Sequence, residues 1–313
     1  MNFKDDFGIK LGNAICYSGY RKGQSPAKNI YPTYNQIKED LLLLNHNWDY
    51  IRLYDASRHA KTVLEVISKE KIDLKVMIGV CLNGEINNDR CPWGGKYSQE
   101  QLKKNKEMNQ QDMKTLIHFA NQYPDIVFSV SAGNEATAEW TDHLVSVESI
   151  IEYVRTLKKE IKQPVTYCEN YIPWQHKLKQ LVEEVDFISL HTYPIWEYKN
   201  IHEALEYTRQ NYYSVKDVYQ HKHVAITEAG WTTNSNGQGF PSHHANEQFQ
   251  ELYYDRLIKW SREIGIMTFV FEAFDEDWKG SEDPLEPEKH WGLFTIDRKS
   301  KRVMKKIPNY AKI

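Results

Sequence analysis

Eight short apolar runs alternate along the chain with long amphipathic stretches, and this alternation constrains the fold more than any other feature. The runs have strand length and lie at 13–19, 49–55, 74–84, 125–135, 164–170, 186–194, 223–231 and 266–277. Stretches with helical spacing of apolar residues follow the first seven, at 34–44, 60–72, 99–123, 147–162, 176–185, 201–219 and 245–265. Near-continuous apolar strands are typical of a parallel sheet that is covered on both faces. The pattern predicts an α/β fold, a single (β/α)8 TIM barrel over residues 1–313, with a short eighth helix in 302–313.

A TIM barrel carries its functional side chains at the C-terminal ends of its strands. Those ends are rich in carboxylates, amides and aromatic rings, and they hold neither a glycine-rich phosphate loop nor a serine elbow. The candidate site residues are Tyr17, Arg52, Asn134, Glu135, Glu169, His191, Tyr193, Trp196, Glu228, Trp231, Glu272, Glu276 and Lys279. We therefore expect a catalytic cleft at this end of the barrel.

Two of these candidates are glutamates that end apolar runs four and seven. The stretch "VFSVSAGNEATAEW" delivers Glu135, and "HVAITEAGWTT" delivers Glu228. Strands four and seven lie on opposed sides of an eight-stranded barrel, so the two carboxylates should face each other across its mouth. Glycoside hydrolysis needs such a pair: one group protonates the leaving oxygen, and the other attacks the anomeric carbon or activates water. The carboxyl groups are about 5–5.5 Å apart in retaining enzymes and about 6.5–9.5 Å apart in inverting ones, and this reasoning leaves both open.

The neighbours of the pair suit the same chemistry. Arg52 would keep the attacking carboxylate ionised and oriented. The amide of Asn134 suits a sugar 2-hydroxyl, whose hydrogen bond tightens in the transition state. Structural alternatives remain: Arg52 could be an ion-pair partner of Asp55, Tyr193 and Trp196 could be packing residues, and a glutamate after a strand is often only a surface charge or a helix-cap neighbour.

Aromatic residues are the unusual part of the composition, with 20 Tyr and 9 Trp in 313 residues. Aromatic rings stack on the apolar faces of sugars and of nucleobases. The net charge of -3 provides no positive field for nucleic acid or anionic membranes, so a sugar is the better partner.

The chain shows no membrane span of about 20 apolar residues, and its start, "MNFKDDFGIK", has no apolar signal core. We expect a soluble monomer. It would be cytoplasmic, or periplasmic or secreted if a signal peptide has been trimmed from it.

Four cysteines and twelve histidines give no metal-binding spacing. The cysteines form no CxxC pair and are best interpreted as free buried thiols, with a bridge between Cys81 and Cys91 as an open alternative. We expect neither a metal nor another cofactor.

Motifs along nearly the whole chain resemble glycoside hydrolase family 17, the β-1,3-glucanase family of the retaining clan A. The resemblance rests on "NAICYSGY", "YIRLYD", "IGVCLNG", "SAGNEA", "HTYPIWE", "ITEAGWTT", "FEAFDEDWKG" and "EKHWGLF". The last three motifs are the specific ones, because Gly-Asn-Glu alone is shared across the clan.

The resemblance implies roles for four residues. Glu135 corresponds to the general acid/base and Glu228 to the nucleophile, while Glu276 and Lys279 correspond to a pair that braces the acid/base and the substrate. A surface ion pair is the alternative for those two. The implied reaction retains configuration through a covalent glycosyl-enzyme, in a cleft for β-1,3-linked glucose and without a cofactor.

Two departures separate the chain from plant-like members and bring it closer to bacterial ones. "TTNSNGQGF" follows strand seven, and strand three is followed by an inserted loop, "EINNDRCPWGGKYS". The insertion would favour exo action on short oligosaccharides if it walls off one end of the cleft. Three functions stay open: a β-1,3-glucan hydrolase, a transglucosylase with the same catalytic residues, and a glucan-binding module with little turnover.

Overall fold

The computed structural model describes residues 3–306 and has a closed barrel of eight parallel strands at its centre. The order of the strands around the ring is their order in the chain, and β8 pairs back to β1. The strands β1 to β8 are Ala14–Cys16, Tyr50–Arg52, Lys75–Gly79, Val127–Asn134, Val165–Asn170, Phe187–Thr192, His223–Ala229 and Thr268–Val270. The predicted (β/α)8 barrel is confirmed.

Helices surround this ring and pack on the strands. Within the described residues, α1 to α9 are Phe3–Phe7, Tyr34–Asn45, Arg58–Glu70, Gln99–Gln122, Val147–Glu160, Tyr171–Gln175, Lys179–Glu184, Ala204–Lys216 and Glu247–Ile264. Short 3-10 turns lie at Ser242–His244, Pro287–Lys289 and Arg302–Lys305. Several of the helices start on a serine side chain that caps their first free N–H groups, as Ser98 does for α4 and Ser146 for α5. Among residues 3–306, no helix combines the length and the apolar character that crossing a membrane requires.

The structure corrects several predicted bounds. The run at 74–84 pairs as a strand only to Gly79, and beyond it the Asn109 side chain accepts a hydrogen bond from the backbone N–H of Asn83, at 2.7 Å. The predicted helix at 176–185 is confirmed only in part: α7 starts later, at Lys179, and ends at Glu184, and the separate helix α6, which Asn170 caps, precedes it. In place of an eighth helix stands the 3-10 turn Arg302–Lys305, and residues 307–313 lie outside the described part.

Helix α1 packs against the N-terminal end of the barrel, which leaves the C-terminal end for the site. Phe3 and Phe7 of α1 contact the rings of Phe187 and His223, which are the first residues of β6 and β7. This contact covers the N-terminal ends of those strands. The opposite, C-terminal ends of the strands carry the long loops and the polar side chains.

Candidate active site

A cleft of about 960 Å³ lies at the C-terminal ends of the strands. Nine aromatic side chains line it: Tyr20, Tyr54, Trp93, Trp140, Tyr193, Trp196, Phe271, Trp278 and Trp291. Its volume lies near the upper end of the range usual for ligand-binding pockets. Glu135 and Glu228 are both among its lining residues.

Glu135 follows the last residue of β4 in a left-handed backbone conformation. Its φ of 46° is uncommon for a residue other than glycine, and such residues are held there by their surroundings. The backbone N–H of Glu135 donates to the carbonyl of Cys168 on β5, at 2.9 Å. The side chain is about a quarter exposed, at 27%, so a ligand in the cleft can reach it.

Glu228 lies in β7, and its side chain is only 6% exposed. The Arg52 guanidinium and the Tyr193 hydroxyl each donate a hydrogen bond to its carboxylate. Burial alone would raise the pKa of Glu228, but the charges of His191 and Arg52 and the hydrogen bond from Tyr193 outweigh it and lower the pKa to about 2. Glu228 is therefore an anion at any pH near neutrality.

His191 lies beneath both carboxylates. Its register partner in the neighbouring strand is Glu228, and its Nδ1 lies 2.9 Å from Glu135 Oε1 and 3.5 Å from Glu228 Oε2. Burial would lower the pKa of His191, but the neighbouring Glu228, Cys168 and Glu135 together raise it to about 10. The ring is fully buried between the two carboxyl groups and, although the sequence analysis counted His191 as substrate-binding, it does not line the cleft.

Glu135, His191 and Glu228 each place one possible ligand atom within 4.8 Å of the others. Among the described residues, this is the group whose possible ligand atoms lie close enough together to hold a metal ion. A guanidinium and a protonated imidazole already supply positive charge there, which opposes a further cation. The expectation that no metal or cofactor takes part stays a prediction.

Arg52 joins the nucleophile candidate to Asn134. Its second guanidinium nitrogen donates to the Asn134 side-chain oxygen, and the guanidinium carbon lies 4.4 Å from the centre of the Tyr54 ring. Asp55 instead accepts a hydrogen bond from the backbone of Ser57, so the alternative pairing with Arg52 is not formed. Arg52 is 2% exposed and orients the site from below.

The loop after β8 adds a second charged cluster. Lys279 Nζ lies 2.8 Å from Glu272 Oε2 and 2.7 Å from Glu276 Oε2. Ser18 and Trp278 both donate to the other oxygen of Glu276. Glu276 and Lys279 line the cleft, whereas Glu272 is buried under them and burial raises its pKa well above the usual range. Glu276 is fully buried, so this is not a surface ion pair.

Three further residues predicted to touch substrate lie beneath the cleft. Tyr17 donates its hydroxyl hydrogen bond to Asp40, at 3.2 Å, and Trp231 donates to the carbonyl of His244, at 2.9 Å. Glu169 accepts hydrogen bonds from the backbone N–H and the hydroxyl of Thr137, at 3.0 and 2.6 Å. Each is at most 1% exposed, because its side chain turns into the layer between barrel and helices, and none lines the cleft.

Of the other predicted contacts, Asn134, Tyr193 and Trp196 do line the cleft. Sequence reasoning missed Glu288 and several aromatic residues on the rim. Glu288 lies in the 3-10 turn Pro287–Lys289 and lines the cleft, where burial raises its pKa to about 7. The motif "EKHWGLF" contains Glu288 and Trp291 and was a signal that could have found them. Cys81 and Cys91, left open as a pair, are both free thiols.

Comparison with known proteins gives this arrangement a family. The BtgE/BtgC glycoside hydrolase domain matches residues 14–292, which include every strand and both glutamates. The chain belongs to this family.

Curated relatives agree with that assignment. A probable glucan endo-1,3-β-glucosidase of Aspergillus flavus is 23% identical over 304 residues, which cover 89% of this chain and 41% of the relative. A glucan 1,3-β-glucosidase of Arthroderma benhamiae is 37% identical over 83 residues, or 25% of this chain and 27% of the relative. The match thus spans less than half the length of each of these relatives.

Solved structures give the same fold. An endo-laminarinase from Formosa Hel1_33_131 is 26% identical and superposes with a TM-score of 0.81, covering 99% of this chain and 89% of that one. A β-1,3-glucanosyltransferase mutant of Rhizomucor miehei, solved with laminaritriose, is 20% identical with a TM-score of 0.73, covering 93% and 96%. At that identity the second likeness concerns the fold alone.

Proposed function

We propose that this member of the BtgE/BtgC family is a retaining glycoside hydrolase that cleaves β-1,3-glucosidic bonds of laminarin-type β-glucan or its oligosaccharides. The observation that carries the proposal is the approach of Glu135 and Glu228, whose nearest carboxylate oxygens lie within 4.8 Å in an aromatic cleft. That approach favours the spacing of about 5–5.5 Å between the carboxyl groups of retaining enzymes over the spacing of about 6.5–9.5 Å in inverting ones.

In the first step Glu228 is the nucleophile and Glu135 the acid. A carboxylate oxygen of Glu228 forms a bond to the anomeric carbon while the bond from that carbon to the leaving oxygen breaks. Glu135 gives its proton to the leaving oxygen, so the departing sugar leaves as a neutral alcohol. Hydrogen bonds from Arg52 and Tyr193 keep Glu228 ionised and oriented towards the anomeric carbon. Asn134, which accepts a hydrogen bond from Arg52, binds the 2-hydroxyl of the sugar.

In the second step Glu135 is the base. It takes a proton from water as the water oxygen attacks the anomeric carbon, and the ester bond to Glu228 breaks. Two inversions leave the product with the configuration of the substrate. Both carboxyl groups return to their starting protonation states, so the cycle needs no cofactor.

Azide rescue of two variants tests the roles directly. With an activated aryl glucoside, Glu228→Ala should lose about 10⁴-fold or more in kcat. Azide should restore turnover by attacking the face opposite the leaving group, giving the α-glucosyl azide. Glu135→Ala should instead form the glycosyl-enzyme, which azide opens to the β-glucosyl azide. Equal products from both variants would contradict the assignment.

The choice of substrate is tested on the unmodified protein. Incubation with laminarin and with laminari-oligosaccharides should release glucose or shorter laminari-oligosaccharides. Cellulo-oligosaccharides, which differ only in linkage, are the matched control. No cleavage of any β-1,3-glucan would end the proposal.

The finer parts of the proposal come from the sequence resemblance. They are membership of glycoside hydrolase family 17 as a bacterial-type member, and exo action on chain ends, which the inserted loop after strand three motivates. Laminarihexaose decides the second point: glucose as the first product supports exo action, and mixed products of intermediate length oppose it.

Transglucosylation is the second candidate function. Exposed tryptophans in the cleft favour it, since an acceptor sugar held by stacking competes with water for the glycosyl-enzyme. Products longer than the starting oligosaccharide would decide for it. A binding module without turnover has no need of a carboxylate pair this close together.

A further inference from the structure

Two tryptophan side chains in the cleft are exposed to solvent. Trp93 and Trp140 both line the cleft, yet they are 66% and 37% exposed, whereas Trp291 in the same cleft is fully buried. A large ring that remains exposed gives up the burial that would stabilise it. Its position in a cleft therefore indicates a ligand that covers it.

The two rings belong to different loops, and hydrogen bonds join these loops into one wall. Trp93 lies in the loop between β3 and α4, and Trp140 in the loop between β4 and α5. The buried side chain of Asn88 donates to the carbonyls of Glu139 and Thr141, at 2.9 and 2.7 Å.

Two more features fix the wall. The Tyr97 hydroxyl donates to the carbonyl of Asp142, at 3.0 Å. Gly95, two residues after Trp93, has a φ of +80°, which a glycine adopts without steric cost and which closes the turn that carries the ring. The rings are thus pre-organised, which lowers the entropy lost on binding.

The position of this wall relative to the acid sets which part of a substrate it meets. Trp140 follows Glu135 along the same loop, while the nucleophile Glu228 is bonded to Tyr193 of the loop after β6. If Glu135 protonates the leaving oxygen, the wall that continues from it adjoins the leaving-group sugar.

Charges on this wall are paired within it. Arg90 pairs with Glu139 and Lys96 with Asp89, at 2.5 and 3.7 Å, while the Asp142 carboxylate is hydrogen-bonded to His143, at 2.7 Å. The charges within each ion pair neutralise each other, so the wall has no cluster of charges of one sign beside the rings. An uncharged polymer suits such a surface better than an acidic polysaccharide or a nucleic acid.

We propose that Trp93 and Trp140 form a stacking platform for glucose units on the leaving-group side of the bond that is cleaved. The platform makes the protein select long β-1,3-glucan chains over short ones, whether water or a second sugar completes the reaction. This inference rests on the proposed function of the same cleft, and it assigns the inserted loop to substrate selection.

Two substrates distinguish an effect on the platform from an effect on the catalytic residues. Laminarihexaose can occupy the platform, whereas an aryl β-laminaribioside has an aryl group where the leaving-group sugars would lie. In Trp93→Ala and Trp140→Ala, kcat/KM on laminarihexaose should fall about tenfold each, the size usual for one stacking aromatic ring. On the aryl glycoside it should change less than twofold.

Matched variants control for changes in folding. Trp93→Tyr and Trp140→Tyr keep an aromatic face and should retain most of the activity on laminarihexaose. Met108→Ala removes an exposed apolar side chain of α4 outside the cleft and should change neither substrate's kinetics. Equal losses on both substrates, or no loss on laminarihexaose, would overturn the platform.

Binding measured without turnover distinguishes failure of the platform from failure of the proposed function. Affinity electrophoresis in gels with laminarin should retard the wild type more than the Trp93→Ala/Trp140→Ala double variant. Retardation lost in the double variant supports the platform even if no β-1,3-glucan is cleaved. Equal retardation of both proteins, or none of either, overturns it.

Discussion

His191 sets the charge balance of the site at the level of single residues. Two carboxyl groups, those of Glu135 and Glu228, face two cations, Arg52 and His191, and both carboxyl groups contact the imidazole. The low pKa of Glu228 depends on His191 before it depends on Arg52. The histidine is therefore placed to keep Glu228, the proposed nucleophile, ionised in acid from a buried position outside the cleft lining.

Replacing this cation should move the acid limb of the activity profile. In His191→Asn the pKa of Glu228 should rise above about 2, since one of its two cations is gone. The acid limb of kcat/KM should then shift upward by about one pH unit, the low end of the effect of a nearby opposite charge. The measurement is kcat/KM on laminarihexaose from pH 2 to 8, with His118→Asn on the outer helix α4 as control. An unmoved limb would contradict this role.

The free energy of unfolding should depend on pH through the same two charged groups, Glu228 and His191. The pKa of His191 is raised from 6.5 to about 10, so its contribution is complete below pH 6.5 and is lost as the pH rises towards 10. The pKa of Glu228 is lowered from 4.5 to about 2, so its contribution is complete above pH 4.5 and is lost as the pH falls towards 2. The difference in unfolding free energy between wild type and His191→Asn should be largest between these limits.

The turn that leaves β4 carries Glu135, the proposed acid, and side chains of β5 hold this turn in place. Glu169, in β5, accepts hydrogen bonds from Thr137 and from the backbone N–H of Asn170, at 2.8 Å. The Tyr167 hydroxyl, also from β5, accepts a hydrogen bond from the backbone N–H of Ala136, at 2.8 Å. The left-handed backbone of Glu135 is thus held by its neighbours and not by its own preference.

Removing Glu169 should loosen this turn. Glu169→Ala leaves the backbone N–H groups of Thr137 and Asn170 buried without an acceptor, at about 1–3 kcal/mol each. We expect unfolding free energy to fall by about 2–4 kcal/mol and kcat to fall with it, because Glu135 is then less well placed. Urea titration and kcat on laminarihexaose measure the two effects. Glu184→Ala, which removes an ion pair with the exposed Arg155, should cost less than about 1 kcal/mol and leave kcat unchanged.

Comparing Glu135 with Glu169 shows how far sequence alone could go. Apolar runs and the strand-end rule are local patterns, so the ring of eight strands and the meeting of Glu135 with Glu228 could be predicted. Which face of the sheet a strand-end side chain takes depends on register, and the pairing of β4 with both neighbours shifts along its length. The sequence therefore could not tell that Glu169 points away from the cleft. Trp93 and Trp140 lie in loops without periodicity, far from the strand ends that the rule covers.

Closure of the barrel is a property of the whole molecule, and one buried carboxylate joins the parts that close it. Asp40 of α2 is fully buried and pairs with Arg298, which follows β8, at 2.7 Å, and with Arg21, which follows β1, at 2.8 Å. Tyr17 donates to the same carboxylate. The start and the end of the ring are thus tied at a single residue, next to the seam where β1 pairs with β8.

Losing this carboxylate should weaken the whole barrel. Asp40→Ala leaves the guanidinium of Arg298 buried without its anion, and removing one partner of a buried ion pair costs about 3–5 kcal/mol. Glu39→Ala is the matched control: Glu39 pairs with the same Arg21, but its side chain is 62% exposed, so its loss should cost less than about 1 kcal/mol. Urea unfolding followed by far-UV circular dichroism and by tryptophan fluorescence measures both variants.

The two probes also test whether residues 1–313 form the single domain that the sequence predicts. In that case their unfolding transitions should coincide and should shift together in Asp40→Ala, because Asp40 then stabilises every strand at once. Two separated transitions, or equal effects of the two substitutions, would contradict the view that this residue closes one cooperative ring.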